Sequence, residues 1–211
     1  VGSVIAVDQF APTAAALDAA GTVLAEGGVV VLPTDSVYGI SALATPGNPG
    51  HLRIFDIKRR DRAQTLPWLV AERGDLTRFG MRVPSWATDL AAAFWPGALT
   101  LVVEASARVP SDYLRDDGTI ALRMPASPLV CRLAATAGVP LATTSANTHG
   151  APSPRSFSEL EPVVVTEADL TLDGGTAPEG VASTIVGCVS DAPVIFREGA
   201  ISRASVEEVV R

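Results

Sequence analysis

Short apolar runs recur along this chain: VVVLP (29–33), LPWLVA (66–71), ALTLVVEA (98–105), TIALRM (119–124) and PLATTS (140–145). Runs of this length and composition read as buried strands. Segments of helical pattern separate them. PTAAALDAAGTVLAEGG (12–28) sets Leu17, Ala20 and Leu24 on one helical face and stops at a double glycine. PGHLRIFDIKRR (49–60) reads as a helix with Leu52, Phe55 and Ile57 inward and Lys58 at its end. Further helices are expected near 74–79, 84–94 and 127–138. Past residue 150 the chain is looser, with APSPRS and DGGTAPEGVAS as loops. Strands are expected near 169–172, 183–189 and 193–197, and a short helix from about 203. The alternation predicts α/β or α+β: an extended core with helices on its faces. No repeat, heptad or linker interrupts it, so 211 residues are expected to form one domain, 1–211.

Hydrophobic residues make up 47% and charged residues 18%, the composition of a soluble globular protein. No run approaches the roughly 20 apolar residues of a membrane span. VGSVIAVDQF lacks the basic-then-apolar order of a signal peptide. Cys131 and Cys188, isolated and without CxxC spacing, read as buried free thiols, which points to a reducing cytoplasm. A net charge of −7 argues against stable RNA binding, which phosphate neutralisation dominates. The positive charge is instead local: Arg53, Lys58, Arg59, Arg60 and Arg62 fall within ten residues. Lys58 is the chain's only lysine beside fifteen arginines. A pocket needing a compact ammonium explains that retention, since Lys and Arg differ in hydration and donor geometry. The cluster suits a small anionic ligand, and equally a solvated helix C-terminus.

Four segments place polar groups where strands end or begin. LPTDSVYG (32–39) offers Thr34, Asp35 and Ser36 directly after a strand, a common place for ligand sites in α/β proteins, although turn formation explains the same residues. Lys58 and Arg60, two apart, fall on one side of an unwound backbone and pair a point charge with a forked guanidinium. TTSANTHG (143–150) presents three hydroxyls, Asn147 and His149; these groups bind oxyanions or cap their own loop. STIV (183–186) starts a strand with Ser183 and Thr184. GxxxxGK[ST], GxGxxG and GxSxG are all absent, and His51 and His149 lack metal-ligand spacing. A site rich in cations and hydroxyls suits phosphoryl or nucleotidyl transfer, where positioning and charge stabilisation do most of the work.

In order along about residues 14–202, these blocks resemble the YrdC-type threonylcarbamoyl-AMP synthases. LPTDSVYGISA resembles that family's PT(D/E)TVYGL block and IKRRDRAQTLPWLV its KxRP…PL block. FWPGALTLVV, IALRMPASPL, PLATTSANTHGAPSP, LDGG…STIV and REGAIS resemble later blocks. The resemblance implies an α/β fold: a twisted mixed sheet with flanking helices around a deep positive cavity. It implies synthesis of threonylcarbamoyl-AMP and pyrophosphate from L-threonine, bicarbonate and ATP with Mg²⁺, feeding tRNA N6-threonylcarbamoylation through downstream transfer proteins.

By position, Lys58 and Arg60 resemble the cationic pair facing the ATP phosphates, with Gln64 beside them. Thr119, Ser145, Asn147, Ser153 and Arg197 resemble the rest of the nucleotide side. Thr34, Ser36, Thr143 and Ser183 resemble the amino-acid side, with Arg123 taking the threonine carboxylate. No protein-held metal is implied. The family usually has Pro at Asp61, Lys or Asn at Gln64, Pro at Thr65, Ser at His149 and Pro at Glu198. Charge changes of the kind at 61 and 64 cost phosphate binding about 1–3 kcal/mol. A paralogue using another amino acid or carbamoyl phosphate, and a non-catalytic nucleotide- or RNA-binding module, are the competing expectations.

Overall fold

A computed structural model describes residues 2–62 and 64–211. The elements are β1 (Ser3–Ala6), α1 (Ala14–Ala25), β2 (Val30–Leu32), β3 (Gly39–Leu43), α2 (Pro49–Lys58) and β4 (Trp68–Leu69). Then follow α3 (Asp75–Phe79), α4 (Ser85–Phe94), β5 (Leu99–Glu104), β6 (Thr119–Arg123), α5 (Pro128–Ala137) and β7 (Leu141–Ser145). The last are α6 (Pro162–Glu167), β8 (Leu170–Asp173), β9 (Thr184–Gly187), β10 (Val194–Arg197) and α7 (Arg203–Val210). The ten strands form one mixed sheet in the order β1-β8-β2-β3-β7-β4-β6-β5-β9-β10.

Local chemistry sets the helix ends. The Thr13 hydroxyl accepts from Ala16 N at the start of α1, and Asn48 accepts from Gly50 N at 2.8 Å at the start of α2, each satisfying a free amide of a first turn. Pro49 occupies the first position of α2, where its missing N–H costs nothing. That helix ends at Arg59, which holds the left-handed conformation (φ 51°) usually given to glycine.

The two faces of the sheet are covered unequally. One buries Val31, Ile40, Trp68, Leu101, Leu122 and Val186 beneath α2, α4 and α7. On the other, Val30, Leu32, Leu43, Leu69 and Leu141 pack against Leu24 of α1 and Leu129 and Leu133 of α5. Among the described residues, β6, β5, β9 and β10 contribute nothing to that second cluster. That half of the face carries instead the buried polar side chains of Thr100, Thr119 and Arg123, and the candidate site lies at the boundary.

Several elements differ from expectation. In α2, Leu52 points outward at 47% exposed and Ile54 takes the inward place. β1 and β3 were not expected as strands. β1 is an exposed edge strand with no apolar alternation, held by parallel pairing with β8. β3 is fully buried, but Ser41 breaks its apolar run and is satisfied by the Thr143 hydroxyl at 2.9 Å. α6 falls in a stretch for which no element was expected: Pro162 starts a helix through Val163–Val165, whose β-branched residues favour strands, and burial of Val164 overrides that preference. Cys131 and Cys188 are free, Cys188 buried and Cys131 half-buried. Burial pushes the thiols up to about 11 and about 12. No helix among the described residues is long and apolar enough to cross a membrane.

Candidate functional site

Strand register builds the floor of the site. Arg123 on β6 lies beside Leu69 of β4, Thr100 of β5 lies beside Ile185 of β9, and Ile185 lies opposite Arg197 of β10. From the other side come Thr34 and Ser36, in the turn leaving β2, and Thr143 and Ser145 on β7. These groups enclose a cavity of about 150 Å³. A larger hollow, about 620 Å³, lies between α1 and α5 and is lined by Leu17, Leu24, Leu133 and their neighbours. It holds none of the residues marked by sequence, so convergence of polar groups and not size locates the site.

Arg123 organises the cavity. Its Nη2 pairs with Asp35 Oδ1 at 2.5 Å, Nη1 donates to Ser36 Oγ at 2.7 Å, and Nε donates to the Gly97 carbonyl at 3.0 Å. Both members of the ion pair are buried, their side chains 7% and 2% exposed. A guanidinium carries five N–H donors, so each terminal nitrogen keeps one for a ligand. Arg197 approaches from β10, pinned by Nη2 to the Ser183 carbonyl at 2.8 Å. Partial desolvation and then the charge of Arg123 lower its basicity. The hydroxyls are paired with one another: Thr34 with Ser36 at 3.1 Å, and Thr100 with Ser183 at 2.9 Å. Gly39 leaves room at the wall, because a Cβ there would stand 2.7 Å from the Thr143 methyl. Behind it the Tyr38 hydroxyl donates to the Gly175 carbonyl and accepts from Gly174 N, both at 2.9 Å. This holds the 174–183 loop against the site, and desolvation raises the phenol to about 12.

Thus Thr34, Ser36, Arg123, Thr143, Ser145, Ser153, Ser183 and Arg197 share one cavity. Lys58, Arg60, Gln64, Thr119 and Asn147 stand outside its lining. Lys58 is 3% exposed, and its ammonium donates to the carbonyls of Ser145 (2.5 Å) and Asn147 (2.6 Å), directly behind the cavity wall. Three compact donors at the end of α2 gather two carbonyls of one loop, which a planar guanidinium would not reproduce. Desolvation, then the charge of Arg60, brings this lysine down to about 8, with Glu161 opposing. The Asn147 amide donates to the carbonyls of Thr148 and Ala151, and Glu161 accepts from Thr148 N and Oγ1. This loop is also tied to α2 by His149 N donating to the Lys58 carbonyl at 2.7 Å.

Arg60 is turned onto Gln64 by an Nε to Oε1 bond of 2.6 Å and onto Thr144 Oγ1 at 3.2 Å. The Gln64 side chain therefore accepts from Arg60 where a lysine would repel it. Thr119 donates to Asp117 at 2.5 Å at the start of β6, which holds that carboxyl below its ordinary value. Sequence reasoning named Asp35 beside Thr34 and Ser36 but gave it no role, and it missed Tyr38 as a site builder. Asp35 was visible between two hydroxyls, but nothing in the sequence showed that its carboxylate turns inward to Arg123.

A mixed α/β sheet with two arginines at a hydroxyl-lined cavity has the donor set that suits small carboxylate- or phosphate-bearing ligands. The chain belongs to the Sua5/YciO/YrdC family, whose model, described as "Telomere recombination", matches residues 22–199. It is 35% identical over 185 residues to a Pyrococcus abyssi protein named threonylcarbamoyl-AMP synthase, covering 88% of this chain and 54% of that protein. It is 33% identical over 192 residues to a Bacillus subtilis protein of the same name, covering 90% and 55%. The chain thus spans about half the length of these curated relatives. A crystal structure of P. abyssi Sua5 complexed with L-threonine superposes with a TM-score of 0.90 at 32% identity, covering 98% of this chain and 60% of that one.

Proposed function

We propose that the chain, acting as one YrdC-like domain in the cytoplasm, joins L-threonine, bicarbonate and ATP into threonylcarbamoyl-AMP and pyrophosphate. The product would supply tRNA N6-threonylcarbamoylation through downstream transfer proteins. The observation that carries this reading is Arg123, which keeps one N–H on each terminal nitrogen at the floor of a cavity sized for a small ligand. A carboxylate seated there would meet charge-assisted bonds, with the hydroxyls of Thr34, Thr143 and Ser183 around the amino acid's own polar groups. The names of the relatives and the threonine bound to P. abyssi Sua5 support the same substrate.

Threonine's amine and bicarbonate give the carbamate and water. A carbamate oxygen then bonds to the α-phosphorus of ATP as the bond from that phosphorus to the β-phosphate oxygen breaks and pyrophosphate leaves. No covalent enzyme intermediate is needed. Arg197 would neutralise charge beside the reacting phosphate, and Lys58 would hold the Ser145–Asn147 wall and add its field. Among the described residues there is no group of three or more His, Cys, Asp or Glu able to hold a metal ion. Mg²⁺ is accordingly proposed to arrive on the ATP phosphates, where it would offset phosphate charge.

Pyrophosphate release by the pure protein tests this reading. Release is expected to require both L-threonine and bicarbonate. Arg123→Lys, which keeps the charge and loses the fork, should raise the threonine KM about 10- to 100-fold, the worth of one or two hydrogen bonds to a charged group. Release independent of threonine would refute the reading.

A further inference from the structure

The cavity's volume of about 150 Å³ is below the roughly 300–1,000 Å³ that larger ligands fill. It houses an amino acid but not a nucleoside triphosphate as well. If ATP is bound, as the proposed function requires, its base must lie outside the cavity, and on the side of Arg197 the exposed strand is β10. Beyond Ile185, the next residue of β9 on the same face is Gly187, which pairs with Val102 of β5 and Val194 of β10. Gly187 has no side chain, and the Phe196 ring fills the space: a Cβ there would stand 2.6 Å from the ring's Cζ. The β10 register shifts between Ile195 and Arg197, so Phe196 is the extra residue of a bulge. A bulge re-aims a side chain, and here the ring reaches the face that carries Arg197. Phe196 is nevertheless 57% exposed. Burial in the protein does not explain the placement, because the ring covers a glycine and leaves most of its own surface uncovered.

We propose that the Phe196 ring is the stacking platform for the purine base of the nucleotide whose phosphates lie toward Arg197. The ring is held by backbone geometry one residue from a site arginine, so base and phosphate recognition are coupled through a single bulge. Stacking on an aromatic face is sequence-tolerant, so the platform binds purine nucleotides as a class.

The test is calorimetric binding of Mg·ATP and of Mg·tripolyphosphate to the wild type and to Phe196→Ala, Phe196→Leu and Phe196→Trp. Phe196→Ala is expected to weaken ATP about 5- to 100-fold, the range that base–aromatic stacking is worth. Tripolyphosphate affinity should stay unchanged. Phe196→Leu should lose as much as alanine, and Phe196→Trp should match or exceed the wild type. Unchanged ATP binding in Phe196→Ala, equal losses for ATP and tripolyphosphate, or full rescue by leucine would each overturn the platform. If Phe196→Ala does not fold, the leucine and tryptophan comparison decides alone. Wild-type protein that binds no ATP overturns both the platform and the nucleotide reading. ATP binding that depends on Phe196 without adenylate formation keeps the platform and removes the synthase.

Discussion

Asp35→Asn isolates the interaction on which the site geometry rests. The Asp35–Arg123 pair is almost wholly desolvated, and Asp35 Oδ2 has no hydrogen-bond partner. Removing one member of a buried pair leaves the other charge uncompensated, at a cost of about 3–5 kcal/mol. For a protein of this size each kcal/mol moves Tm by roughly 2–4 °C, so the loss corresponds to roughly 6–20 °C. Asparagine preserves the shape and one acceptor, which places the expectation toward the lower end. Thermal unfolding followed by circular dichroism measures it, with urea unfolding as a second determination. The double variant Asp35→Leu/Arg123→Met removes both charges and should be less destabilised than Asp35→Leu alone, because a buried arginine is no longer stranded. A Tm for Asp35→Asn within about 2 °C of the wild type would refute the reasoning, since it would mean that solvent already screens the pair.

Gly39→Ala places a methyl 2.7 Å from that of Thr143; it should cost about 1–3 kcal/mol by overpacking and raise the threonine KM, both absent if the wall simply yields. Lys58 gives a pH dependence, because its ammonium deprotonates near 8 against an ordinary 10.5. ATP affinity should fall as pH rises through about 8, and Lys58→Arg, charged throughout, should bind ATP more weakly because it cannot hold both carbonyls, yet show a flatter fall with pH. The linked effect on folding has the opposite sign. Between about 8 and 10.5 the unfolded chain binds this proton more tightly, so raising the pH there favours the folded state through this group. A pH-independent ATP affinity from 7 to 9 would show that this proton does not matter to the ligand.

The sequence revealed the parts of the fold whose burial is uniform. β2, β5, β6 and β7 are apolar runs, and α1, α4 and α5 are amphipathic or capped, so local pattern and tertiary role agree. β3 was hidden because its buried serine is satisfied only by Thr143, about a hundred residues away in sequence. β1 was hidden because an exposed edge carries no alternation. At the site, residue types at strand ends were legible: eight of the thirteen marked positions meet in one cavity. What stayed illegible was direction. Lys58 stands out by composition, but only the structure shows its ammonium spent on the carbonyls of Ser145 and Asn147. Asp35 reads as a turn residue until β6 brings Arg123 beside it.

The shortest strand carries an unexpected duty. β4 pairs only Trp68 and Leu69 with its two neighbours, yet it joins β7 and everything beyond to β6 and everything beyond. The cavity straddles this seam, with Thr34, Ser36 and Thr143 on one bank and Arg123, Ser183 and Arg197 on the other. A molecule seated between the banks is therefore a rivet as well as a reactant. It adds cross-ties where the backbone supplies few, and occupancy by ligand becomes part of what keeps the two halves of the sheet in step.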